Sequence, residues 1–249
     1  MTFDPTPEKL LPDLSPHEEL VLLARTLWRE GYNDHLAGHI TCNLGDGTLL
    51  CNPWLLTWNE LRPHQVIRID VEGKVVEGDW PAPLGIPLHL ALHDLRPGVR
   101  WAMHNHPLYG TVWADMRTVP PAMDQSSALG GGELVLVDEY ESAVNNVDSA
   151  KHAVTKMGDA DLALLAGHGV FVLGGSARAV HQRAVALEQR CQRAWCVRAA
   201  GGALDSPLPE SWSDGMRRSD GEGFIGFWEA MVREELRADP TLLSESRST

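Results

Sequence analysis

The 249-residue chain is short of positive charge: 21 Lys and Arg stand against 34 Asp and Glu, a formal net charge of −13. A surface of that sign repels phosphate backbones and anionic lipid, which argues against nucleic-acid binding and membrane-surface docking. Lysine itself is scarce. Lys9, Lys74, Lys151 and Lys156 all sit among polar neighbours, so a Schiff-base mechanism is disfavoured. Cys42, Cys51, Cys191 and Cys196 are too few for a disulfide scaffold and show no Cys-x-x-Cys spacing. No apolar run approaches the roughly 18–20 residues of a membrane span. The opening MTFDPTPEKLLPDLSP lacks the basic-then-apolar order of a secretory signal, and a cytoplasmic protein is expected.

What is present is a chain that is 43% hydrophobic, enough for one sizeable core. Residues 1–14 read as a loose arm, 15–200 as an α/β domain, and 201–249 as a helical extension, an appendage or oligomer arm rather than a second domain. Ser15-Pro16-His17-Glu18 predicts a capped helix start, with Leu20, Leu23, Leu27 and Trp28 on one face and Gly31 as the stop. Turns at Gly45-Asp46-Gly47 and Glu72-Gly73-Lys74 predict two hairpins. A helix is expected over 87–95, strands over 99–106, 162–165 and 170–173, and helices over 148–157, 176–198 and about 223–236. A mixed sheet with packed helices follows.

The sharpest motif is WAMHNHPLYG. His104 and His106 lie two apart at the end of a strand, so both leave the same face with Cα atoms roughly 6.5–7 Å apart. That suits adjacent positions around one cation, and it equally suits two histidines satisfied by carbonyls or water. LLAGHGVFVLG places His168 between two glycines at a strand junction, where something can approach closely. Three histidines on strand ends would form a triad that leaves open coordination positions.

Over roughly 15–201 the sequence resembles the class II aldolase/adducin family. The resemblance is carried by AGHIT (37–41), VEGKVVEG (71–78), PLHLALHDLRPGVRWAMHNHPLYG (87–110) and LLAGHGVFVLGGSARAVHQRAVALE (164–188). It implies a three-layer α/β/α sandwich around a mostly antiparallel sheet. It also implies a divalent metal, usually zinc, on His104, His106 and His168, and a homotetramer with sites between subunits.

The departures from the family pattern bear on substrate. The family's Ser-Ser-Glu tract, whose Glu is a metal ligand and acid/base, is here Pro83-Leu84-Gly85. Its phosphate cradle, a Gly-Asn, a Thr-Pro-Ser-Gly and the Ser-Ser, matches Gly38-His39, Asn52-Pro53-Trp54-Leu55 and Pro83-Leu84, where hydroxyls have become bulky or apolar. A phosphodianion needs several donors in a compact nest, so sugar phosphates are not expected as substrates. The family's proton-donating tyrosine aligns at about Asp124, which is either a proton shuttle or a turn residue. His89, one turn after Gly85, is either a further ligand or, like His93, a buried hydrogen-bonded residue. His39, Asn52, Tyr109 and Gln125 are candidate substrate contacts. Trp54, Trp58, Trp80, Tyr109 and Trp113 fall in site-forming segments and suggest an aromatic lining, though core is the usual fate of Trp.

These features favour a metal-dependent carbon–carbon lyase, retro-aldol or decarboxylating, acting on a non-phosphorylated apolar or aromatic oxo or hydroxy acid. The alternative is a non-haem iron oxygenase of aromatic 2-oxo or 2-hydroxy acids, since imidazole suits iron (and manganese) as well as zinc. A non-catalytic adducin-like module is a third reading, opposed by the presence of all three histidines.

Overall fold

A computed structural model describes residues 10–129, 131–138, 147–209, 211 and 225–244. Most of the expected N-terminal arm, and Gly223 at the start of the last expected helix, lie outside them. Helix α1 (Pro16–Arg29) starts where the sequence says it should: the Ser15 hydroxyl accepts from Glu18 N–H and the Glu18 carboxylate accepts from Ser15 N–H. The two hairpins follow, β1 (His39–Asn43) with β2 (Thr48–Cys51) and β3 (Ile67–Asp70) with β4 (Val75–Glu77). Next come α2 (Ile86–Leu95), β5 (Trp101–Asn105), α3 (Leu108–Asp115) and a one-turn α4 (Gln125–Ala128). β6 (Leu134–Val137), α5 (Val147–Met157), β7 (Leu162–Leu165), β8 (Gly169–Gly174), α6 (Ala177–Ala199) and α7 (Phe227–Ala238) complete the described elements.

The strands form one sheet in the order β4-β3-β2-β1-β5-β8-β7-β6. Every neighbouring pair is antiparallel except β6–β7. Alternation along each strand divides two cores. Ile40, Cys42, Trp101, Met103, Val170 and Val172 point to the layer of α1 and α6. Ala102, Phe171, Leu173, Ala163 and Leu165 point to that of α2 and α5, where Leu88, Leu92, Ala150 and Val154 meet them.

The extension is not a free appendage in its described part. Trp228, Val232 and Leu242 are buried in the α1–α6 core. The buried carboxylate of Glu235 on α7 receives Arg25 and Arg29 of α1, and that of Glu229 receives Arg178 of α6. Losing one partner of such a pair strands the other charge in the interior, which makes α7 a wall of the same core. Elements not expected from the sequence include α3, α4 and β6. The N-terminal N–H groups of α3 are satisfied from a distance: Glu188 on α6 accepts from Tyr109 and Gly110 N–H, both at 2.8 Å.

Candidate metal centre

Three strand ends meet at one edge of the sheet: β1 begins at His39, β5 finishes at Asn105, and β8 begins at Gly169. In the ladder His39 stands opposite His104, and His104 opposite Phe171, so all three side chains share the α2–α5 face. His106, two residues on from His104, keeps to that face, and the β7–β8 turn delivers His168. One ligand atom from each of His104, His106 and His168 lies within 4.8 Å of the others. The rings are 4.6–4.9 Å apart between centroids.

The glycines beside His168 divide the work. Gly167 takes a left-handed φ of +68°, which turns the chain. Gly169 makes room for a different histidine: a Cβ there would lie 2.5 Å from His106 Cδ2 and 2.6 Å from the Asn105 carbonyl oxygen.

Acceptor-only partners fix two tautomers. His104 Nδ1–H donates to the Val170 carbonyl at 2.9 Å, and His106 Nδ1–H donates to the Asp34 carboxylate at 2.8 Å. Each Nε2 is left with its lone pair, and that of His106 is buried with no hydrogen-bond partner. A ring nitrogen held by a carbonyl or carboxylate while the other faces a cation is the usual outer-shell arrangement of metal-bound histidine. Burial, helped by the neighbouring histidines, holds His104 far below 6.5 and pulls His168 down to about 4. Both rings are therefore neutral at pH 7, the ligating form. Burial would raise Asp34, but the hydrogen bonds from His106 and His35 outweigh it and keep the carboxylate ionised. Asp34 was not foreseen. A lone loop aspartate before a strand carries no sequence signal of its own.

The other candidates scatter. His89 stays outside the cluster: its Nδ1 and His93 Nε2 share the buried Thr41 hydroxyl at 2.8 and 2.9 Å. Asn52 is occupied by the backbone, its Oδ1 accepting from Ile40 N–H at 2.7 Å and its Nδ2 donating to the Gly38 carbonyl at 3.3 Å. It therefore braces His39 from both sides. Asp124 caps α4, accepting from Ser127 N–H and hydroxyl, and pairs with Arg193 at 3.2 Å. Gln125 follows it, exposed, and Tyr109 packs against the α1–α6 core. The expected aromatic lining is largely core. Trp58 and Trp113 are buried there, Trp113 donating to the Cys191 carbonyl, and Trp80 packs on the β2–β3 cluster. Their apolar area outweighs any placement suggested by neighbouring motifs.

Residues 18–195 match the family described as Class II Aldolase and Adducin N-terminal domain. The chain belongs to that family. It is 30% identical over 186 residues to the 5-methylthioribulose-1-phosphate/5-deoxyribulose-1-phosphate aldolase of Rhodospirillum rubrum, covering 73% of this chain and 81% of the relative. It is 29% identical over 208 residues to the 3,4-dihydroxyphthalate decarboxylase of Arthrobacter keyseri, covering 78% and 83%. An aldolase II superfamily protein of Pseudomonas syringae shares the fold with a TM-score of 0.80 at 21% identity, covering 92% of this chain and 97% of that one. The class II aldolase fold expected from the sequence is thus the fold observed, and characterised relatives include both an aldolase and a decarboxylase. Among the described residues no helix is long and apolar enough to cross a membrane.

Proposed function

We propose that the protein is a divalent-metal-dependent carbon–carbon lyase of a non-phosphorylated oxo or hydroxy acid, with an aromatic acid favoured. The observation that carries this reading is the convergence of His104, His106 and His168, two of them with Nδ1 fixed by carbonyl or carboxylate partners. A bound zinc ion would polarise a substrate oxygen and stabilise the negative charge that develops as a carbon–carbon bond breaks. Asp34 holds the His106 ring in register, the Val170 carbonyl holds His104, and His39 stands stacked on His104 at the site's edge. Pro83 and Leu84 stand where hydroxyls would be needed for a phosphate, which speaks against the sugar phosphate of the Rhodospirillum relative. The dihydroxyphthalate decarboxylase shows that a relative of comparable identity acts on an aromatic acid. A homotetramer accompanies this reading, and light scattering on the purified protein tests it.

Elemental analysis of protein purified without added metal, beside His104→Ala, tests the centre. Stoichiometric zinc or manganese, lost in the variant, supports the lyase and calls for cleavage assays on 2-oxo and aromatic hydroxy acids. Stoichiometric iron moves the assignment to the oxygenase, which the absence of a carboxylate from the described cluster keeps in play. No metal in either form overturns the reading.

A further inference from the structure

His39 and Gly85 are far apart in sequence and contend for one volume. A Cβ built on Gly85 would lie 2.0 Å from His39 Cε1, 2.7 Å from Nε2 and 2.9 Å from Nδ1. No side chain at position 85 coexists with the ring where it stands. Gly85 is the residue before α2, and its missing side chain is what admits the imidazole.

The ring is also held. Asn52 grips the chain on both sides of it, at the Gly38 carbonyl and Ile40 N–H. Gly38, with φ of +108°, passes so close to Asn105 that a Cβ would lie 2.3 Å from its Nδ2, and that amide donates to the Ala37 carbonyl. The His39 ring stacks on His104 with centroids 5.2 Å apart and planes 28° apart, and meets His89 edge-on at 5.6 Å. Its Nδ1 is buried without a hydrogen-bond partner. Several separate constraints converge on one imidazole whose Nδ1 makes no hydrogen bond among the described residues.

We infer that His39 is the specificity-determining residue of the site: admitted by Gly85, it presents a hydrogen-bonding ring to the carboxylate of the bound substrate. The inference rests on the metal reading above. A divalent cation on three imidazole ligands, with the carboxylate of Asp34 committed to His106, leaves net positive charge that favours an anionic ligand. An acidic side chain rising from position 85 would repel such a ligand. An imidazole in the same space does not.

Two measurements test this. The first needs no metal: thermal melts of wild type, Gly85→Ala, His39→Ala and the double variant. Gly85→Ala is expected to melt well below wild type and the double variant to recover relative to it, because removing the ring frees the volume. Additive effects would overturn the shared-volume premise. The second uses cobalt(II)-loaded protein of verified stoichiometry, titrated by visible absorption with 2-hydroxybenzoate and with neutral 2-hydroxybenzyl alcohol. His39→Ala should weaken the carboxylate probe by about tenfold or more, the order expected of a hydrogen bond to a charged group. The neutral probe should bind about as before, and His39→Gln should restore much of the loss. In His39→Ala/Gly85→Glu the carboxylate probe should weaken further. Equal binding of the carboxylate probe by wild type and His39→Ala, both fully loaded, overturns this inference and leaves the metal reading intact. Wild type that takes up no cobalt overturns both.

Discussion

On one face of one sheet the chain carries two groups of histidines that are built differently. In His104 and His106, one nitrogen is held by an oxygen that can only accept, and the other is left to converge with its neighbours and His168. In His89 and His93 the held nitrogens face each other across one hydroxyl, that of Thr41, which can donate to only one of them. The first group is directed outward from the strand ends. The second is turned inward between α2 and β1, on the Thr41 hydroxyl. Burial alone does not tell them apart, because His89 and His104 are both sealed from solvent. What does is where the remaining nitrogen points and whether others point with it.

The comparison breaks most readily at His168. His168→Ala should abolish stoichiometric metal while leaving the circular dichroism spectrum unchanged, since the residue lies in a turn and is only half-buried. His93→Gln should retain the metal. Equal retention by both variants would put the two groups on the same footing. Next in size is Asp34→Ala, which frees the His106 ring without removing a ligand. Metal affinity should fall by about 10–100-fold, read by competition with a chelator.

Thr41→Val tests the inward group. It keeps the shape and removes the shared hydroxyl, so two buried nitrogens lose their partner. Stability should drop by about 2–3 kcal/mol in urea unfolding, with metal stoichiometry unchanged. The same group sets an acid response. Burial pulls His93 down to about 4 from 6.5, so protonation favours the unfolded chain. Its contribution is intact above pH 6.5 and is lost as pH falls from there toward 4, at about 1.4 kcal/mol per pH unit at most. His93→Leu should flatten that part of the profile of unfolding midpoint against pH.

How much of this could be read beforehand depended on whether a feature was local. The His-x-His pair was legible because a strand has period two, and the helix start at Ser15 because its cap lies within four residues. The capped start, both hairpins and the long helix α6 were placed within a residue or two of where they stand. Features joining distant segments were not legible. Asp34 meets His106 across 72 residues of sequence, and no spacing rule links a loop aspartate to a strand end. The aromatic residues misled for a related reason. Trp58 and Trp113 sit in segments that flank the site, and sequence position cannot show that their rings point into the core. The backbone contacts of Asn52 were likewise out of reach: its amide holds the chain on both sides of His39, which no sequence spacing announces.

The smallest effect is expected at Leu55, in the segment Asn52-Pro53-Trp54-Leu55 that the resemblance matches to the family's phosphate-binding turn. Resemblance places a glycine of that turn at this position, and the backbone here has kept the glycine conformation: Leu55 has φ of +76° and is 53% exposed. A left-handed residue with a Cβ costs roughly 1–2 kcal/mol, and an exposed side chain recovers little of that through burial. Glycine at the position relieves the strain and gives back part of the gain as unfolded-state entropy. Leu55→Gly should therefore stabilise the fold by about 0.5–1 kcal/mol. A measurable loss of stability would show that Leu55 makes a contact worth its strain. A gain in stability with weaker binding of an aromatic acid would instead give the strained leucine a part in the substrate site, and would extend that site from the histidine-lined strand ends to the turn after β2.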